Sequence, residues 1–121
     1  MNISPAAALL AEAIAIAEGY PNPKALPWRA RNPGDLELGD FGNGVLNLKT
    51  IFPSHALGWT RLEAQAAAML SAASKHYNPA MTFLQVAATY TGFDNTQPWA
   101  LAVANHCQLH PTDTLQALLD R

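Results

Sequence analysis

Glu18 is the residue whose type and place best suit it to chemistry. It closes a long apolar run, in the last turn of an expected helix and directly before Gly19. On a helical wheel it falls beside Ile14 and Ala11, and Glu12 falls on the opposite side. Partial burial would disfavour its carboxylate, and so would the negative end of the helix dipole. Both raise the pKa, and a carboxylic acid that keeps its proton near neutral pH is what a general acid requires. The ordinary alternative is a helix-end Glu turned to solvent, or paired with Lys24 or Arg29.

A second group of candidates lies in Leu26-Pro27-Trp28-Arg29-Ala30-Arg31-Asn32-Pro33-Gly34-Asp35-Leu36. Asn32-Pro33-Gly34-Asp35 reads as a tight turn, with Pro33 fixing φ and Gly34 supplying φ > 0. Asp35 and Glu37 then stand at the entrance to a strand and can face Glu18 across a cleft. Paired carboxylates across a cleft are the arrangement that glycoside cleavage uses. Turn chemistry with solvated charges explains the same residues without a reaction. Tyr20, Trp28, Phe41 and Tyr90 sit in or beside loops, where sugar rings stack on aromatic faces; core packing is the other reading of each. His55, His76, His106 and His110 are scattered, and no metal site or cofactor is expected from them. Cys107 has no base nearby in sequence and reads as a buried structural thiol.

The elements that must position these residues follow from composition and punctuation. The chain has 121 residues, enough for one domain with a real core, and a single domain over residues 1–121 is expected. It carries 23 Ala and 16 Leu against 7 Val plus Ile, a balance that favours helix over strand. Ser4-Pro5 caps a first helix running to Gly19, apolar almost all round and so buried. Residues 20–35 hold four prolines and read as an ordered loop. Residues 36–52 alternate apolar and polar, which predicts a small β-hairpin turning near Asp40–Gly44. Pro53-Ser54 caps a helix to about Ser74. Thr82 caps another to about Tyr90, ended by Thr91-Gly92. Pro98 opens a helix from Trp99 to about Cys107, and Thr112 or Asp113 caps a short one ending near Asp120. The expected class is α+β, predominantly helical, with one small hairpin.

Charge and hydropathy narrow the function. A net charge of −2, with 7 basic residues and no basic cluster, argues against nucleic-acid binding. No apolar run is long enough to cross a bilayer, so no membrane insertion is expected. The apolar N-terminal stretch lacks a basic leader and is broken by Glu12 and Glu18, so it reads as a core helix rather than a signal peptide. Synthesis in a cytoplasm is expected, with any outside destination reached by another route.

The order of AIAIAEGY (13–20), LPWRARNPGDL (26–36), TIFPSHALGWTRLEAQ (50–65) and MTFLQVAATYTG (81–92) resembles phage structural protein P5-type muramidases, relatives of the lysozyme and lytic transglycosylase superfamily. The resemblance spans about residues 13–110 and rests on shared order, not on one decisive motif. It implies a lysozyme-like domain in which Glu18 matches the catalytic glutamate. Asn32 and Gly34 then belong to the loop lining the cleft. Ala88-Thr89-Tyr90-Thr91-Gly92 resembles a segment that brings Tyr90 near the acid. Asp35 stands where the family has Asn, and it is either a second catalytic carboxylate or a mark of an altered site. Tyr20 and Glu37 complete the expected substrate-binding set.

The resemblance implies a peptidoglycan glycosidase, a muramidase or lytic transglycosylase, that cuts the β-1,4 bond between N-acetylmuramic acid and N-acetylglucosamine. A monomer acting on glycan strands is expected. It would reach the wall after lysis, in a virion, or by dedicated export, as a phage endolysin or an exported effector. The alternatives are a lysozyme-like virion structural or peptidoglycan-binding protein without turnover, and a helical protein-interaction module.

Overall fold

The first helix, α1 (Pro5–Ala17), starts where Ser4 accepts a hydrogen bond from the Ala7 amide at 3.1 Å and Pro5 takes the first helical position. It ends in a Schellman turn. Gly19, at φ +80°, lets the Tyr20 amide reach the Ala15 carbonyl at 3.0 Å while its own amide reaches Ile16 at 3.1 Å. A side chain at Gly19 would meet no neighbour, so the left-handed backbone is what selects glycine there. The residues described in this computed structural model are 3–36, 45, 46, 49–71, 74, 76–93 and 95–121.

Among the described residues five further helices follow: α2 (Leu26–Arg29), α3 (His55–Met69), α4 (Phe83–Thr91), α5 (Thr96–His106) and α6 (Leu115–Leu119). α1 packs against both α3 and α5, and α5 packs against α4. Ala7, Ala11, Ala13 and Ala15 are buried with Leu10 and Ile14, so small side chains let the neighbouring helices approach α1 closely. Burial of a Leu10 or an Ile14 contributes about 1.5–3 kcal/mol each. Glu12 and Ile16 are exposed, and Glu12 lies 3.4 Å from His106 Nε2 on the far side from the core.

The molecule is predominantly helical with little strand. β1 (Val45–Leu46) and β2 (Lys49–Thr50) pair antiparallel, Val45 with Thr50 and Leu46 with Lys49. The longer hairpin expected over 36–52 is not shown, and its expected turn at Asp40–Gly44 lies outside the described residues, as do Glu37 and Phe41. Within the expected Pro-rich loop the chain makes one helical turn, α2, with Pro27 in its first turn, where a missing N–H costs nothing.

Three helix boundaries differ from expectation for local reasons. α3 stops at Met69, not Ser74; the Ser71 hydroxyl donates to the Ala68 carbonyl at 3.2 Å and competes with further helical bonding. α5 starts at Thr96, so Pro98 sits third in the helix, inside the turn whose amides have no helical partner. α6 begins after Thr114, because the Asp113 carboxylate instead accepts from the His110 amide at 2.7 Å and closes a turn. Thr82 behaves as expected: it forms a full capping box with Gln85 at the start of α4, and Gly92, in the left-handed region, ends that helix.

Residues 111–116 run back along the start of α4. The Phe83 and Leu84 amides donate to the Asp113 and Pro111 carbonyls, and the Leu115 and Gln116 amides donate to Met81 and Pro79. Two first-turn amides of α4 are thereby satisfied by chain rather than by water. Cys107 is fully buried, and burial pushes its thiol up to about 11, so it stays protonated and unreactive at neutral pH. No helix among the described residues is long and apolar enough to cross a membrane.

Candidate functional site

The Schellman turn that ends α1 leaves Glu18 half-buried in the lining of a cleft of about 860 Å³. Asp35 and Leu36 line the cleft from the loop before β1, Gln65 from α3, and Thr89, Tyr90 and Thr91 from α4. His76 and Tyr77 line it as well, and Asn95 and Trp99 come from the start of α5.

Trp99 holds the acid. Its indole Nε1–H donates to Glu18 Oε2 at 2.6 Å, and its side chain is only 2% exposed. The Tyr90 ring stacks on the indole with centroids 5.0 Å apart and planes 28° from parallel. The Tyr90 hydroxyl donates to the Gly34 carbonyl at 2.5 Å. A Cβ on Gly34 would lie 2.5 Å from Leu62 Cδ1 and 3.0 Å from the Tyr90 hydroxyl, so a bare backbone is needed there for close approach. Gly34 does not supply the positive φ expected of it; Asp35 does, at φ 51°. The turn itself forms, closed by the Asp35 amide on the Asn32 carbonyl at 3.0 Å. Asp and Asn are the non-glycine residues that best tolerate this backbone region, which is reason enough for an Asx residue at this position.

Asn32 does not line the cleft. It is fully buried, and its amide is committed to backbone: Nδ2 donates to the Leu36 and Thr50 carbonyls at 2.8 and 2.9 Å, and Oδ1 accepts from the Leu36 amide at 2.9 Å. With both N–H bonds taken, it fastens the loop to β2 and has no donor left for a ligand. The same loop is pressed onto α3, where a Cβ on Gly58 would lie 2.0 Å from the Arg31 carbonyl oxygen. Tyr20 also turns away from the cleft. It is 6% exposed, its hydroxyl lies 2.7 Å from His55 Nδ1, and its ring contacts Trp28 and Trp59. Glu37 lies outside the described residues.

Of the expected site residues, then, Glu18, Asp35 and Tyr90 share the cleft, with Gly34 buried behind its wall. Sequence reading missed Trp99, Gln65, His76, Tyr77, Thr89 and Asn95. Trp99 stands 81 residues from Glu18, so no local spacing could pair them. Its one signal was a large aromatic in the first turn of an otherwise polar helix start.

The cleft's phenols are neutral donors. Burial pushes Tyr90 well above the ordinary phenol value, and the charges of Glu18, Tyr77 and Asp35 push it further the same way. Both carboxylates therefore act on one phenol, as expected of groups that share a space. Burial pushes Tyr77 up to about 12. The folded chain keeps the Tyr77 proton to about pH 12 and the unfolded chain loses it near 10, so stability present below pH 10 is lost as pH climbs through that interval. Melting temperature should fall steeply from pH 10 to 12 in the wild type and less steeply in Tyr77→Phe. Parallel slopes for the two proteins would rule Tyr77 out as the cause.

No group of three His, Cys, Asp or Glu side chains among the described residues is placed to hold a metal ion. Compared with protein-family models, with curated proteins and with solved structures, the chain matches none.

Proposed function

We propose that this chain is a lysozyme-like peptidoglycan glycosidase that cuts the β-1,4 bond between N-acetylmuramic acid and N-acetylglucosamine with Glu18 as general acid. The observation that carries this reading is the pair of carboxylates, Glu18 and Asp35, lining one cleft, with Glu18 oriented by an indole donor. The predominantly helical class supports this reading.

In this mechanism protonated Glu18 gives its proton to the glycosidic oxygen as the anomeric C–O bond breaks. The bonding pair leaves with that oxygen, and an oxocarbenium-like centre develops on the muramyl ring. Glu18, now a carboxylate, takes a proton from the incoming nucleophile. If that nucleophile is the muramyl 6-hydroxyl, the product carries a 1,6-anhydro ring. If it is water, Asp35 is positioned on the same cleft to steady the cationic centre or to act as base. Tyr77, a neutral phenol that lines the cleft, suits the hydroxyl and N-acetyl oxygens of a sugar chain, whereas the Tyr90 proton is already given to the Gly34 carbonyl.

A second reading is a lysozyme-like virion or wall-binding protein without turnover. Two observations favour it: the left-handed backbone of Asp35, which explains the residue without catalysis, and a net charge of −2, which gives no attraction to anionic wall polymers. Digestion of purified sacculi with wild type and Glu18→Gln, read by mass spectrometry, separates the two. Soluble muropeptides from wild type alone support the enzyme. Binding to sacculi with no release from either protein between pH 4 and 8 supports the second reading.

A further inference from the structure

The carboxylate of Glu18 and the loop that carries Asp35 come from separate elements that line the cleft, yet one aromatic pair touches both. We infer that Trp99 is a positioning residue for the Glu18 carboxylate, and that the Tyr90–Trp99 stack couples that carboxylate to the Asn32–Asp35 loop. The kinetic side of this inference rests on the glycosidase reading; the coupling itself does not.

A glutamate side chain at a helix end has three torsions, the last of them broad, so nothing in its own covalent structure aims its oxygens. A donor at 2.6 Å does, and a charged acceptor makes that bond stronger than a neutral one. The indole N–H is donor only and does not titrate, so it orients the carboxylate the same way at every working pH. The indole cannot swing aside, because Trp99 is 2% exposed and Tyr90 lies flat against it. Tyr90 in turn reaches the Gly34 carbonyl, one residue before Asp35, through space that any side chain on Gly34 would fill. A shift of the indole therefore moves the acid and the loop together. If Trp99 were only core filling, its hydrogen bond would merely satisfy a buried N–H, and removing the nitrogen would leave rates and pH dependence as they are.

Kinetics on purified peptidoglycan test this. Trp99→Phe should lower kcat by about ten- to hundredfold with KM within about twofold, since misplacement of an acid acts on the transition state. The alkaline limb of its pH profile should move to higher pH, because a donor that favours the ionised carboxylate has gone. Tyr90→Phe keeps the ring and drops the hydroxyl; it should lower kcat severalfold, and the double variant should be no worse than Trp99→Phe alone. Independently of activity, the indole ¹H–¹⁵N resonance that Trp99→Phe removes should move with pH in wild type and stay still in Glu18→Gln. A folded Trp99→Phe with wild-type kcat and pH profile overturns the inference, and so does an indole resonance indifferent to pH. If Trp99→Phe does not fold, Tyr90→Phe and the resonance decide. Sacculi left intact by wild type, with the resonance still following Glu18, discard the glycosidase and leave the coupling standing.

Discussion

Glu18→Gln should release soluble muropeptides from sacculi at least about a thousandfold more slowly than wild type, within the range that general acid catalysis contributes. Glutamine has nearly the shape of the acid and keeps an oxygen that can accept the Trp99 indole N–H, so its melting temperature should stay close to wild type. The loss is then a loss of the proton, not of the fold. Asp35→Asn extends the experiment. Asn tolerates the left-handed backbone at this position as well as Asp does, so the turn survives. Retained activity with 1,6-anhydro ends would mean that Glu18 works alone. Activity lost together with reducing muramyl ends would give Asp35 a part in water attack. A Glu18→Gln protein that digests sacculi at the wild-type rate would remove Glu18 from the chemistry.

Asn32→Ala should cost about 2–4 kcal/mol of stability. The substitution strips the Asn32 partner from the Leu36 amide and the Thr50 carbonyl, while the Leu36 carbonyl keeps the Thr50 amide at 2.9 Å, and each buried polar group left unpaired costs about 1–3 kcal/mol before water or relaxation recovers part of it. Against the 5–15 kcal/mol that holds a domain of this size, that is a large share. Urea unfolding reads it as a lower midpoint at unchanged slope. Asn32→Asp should fare little better, since an oxygen would then face two carbonyl oxygens. A midpoint within about 1 kcal/mol of wild type would mean that the contacts of Arg31 with Phe52, and of the Phe52 amide with Ala30, hold the loop without Asn32.

Local sequence was informative wherever a single residue type sets a local geometry. Ser4-Pro5, Gly19, Ser54, Thr82 and Gly92 punctuate helices by capping and left-handed backbone, and the structure has helix ends at each of them. Glu18, Asp35 and Tyr90 were likewise legible as cleft candidates, because turns and helix ends carry their own signals. What escaped was long-range. Asn32 looks like a turn residue until Thr50, 18 residues on, takes one of its protons. Tyr20 looks like a loop aromatic until His55 and two tryptophans enclose it. Gly34 is glycine for the space that Leu62 and Tyr90 occupy, not for its torsion angle. In the same way, α2 is a single turn too short for periodicity to reveal.

The return of residues 111–116 along the start of α4 bears on the order of assembly. A nascent chain makes its acid early and the indole that aims it late, and α4 completes its first turn only when the segment beyond α5 arrives. Contacts this distant in sequence close slowly. A chain still being synthesised therefore has no finished cleft, and truncation before Pro111 should leave the Phe83 and Leu84 amides without these acceptors and the molecule poorly folded, even though Glu18 and Trp99 are both present.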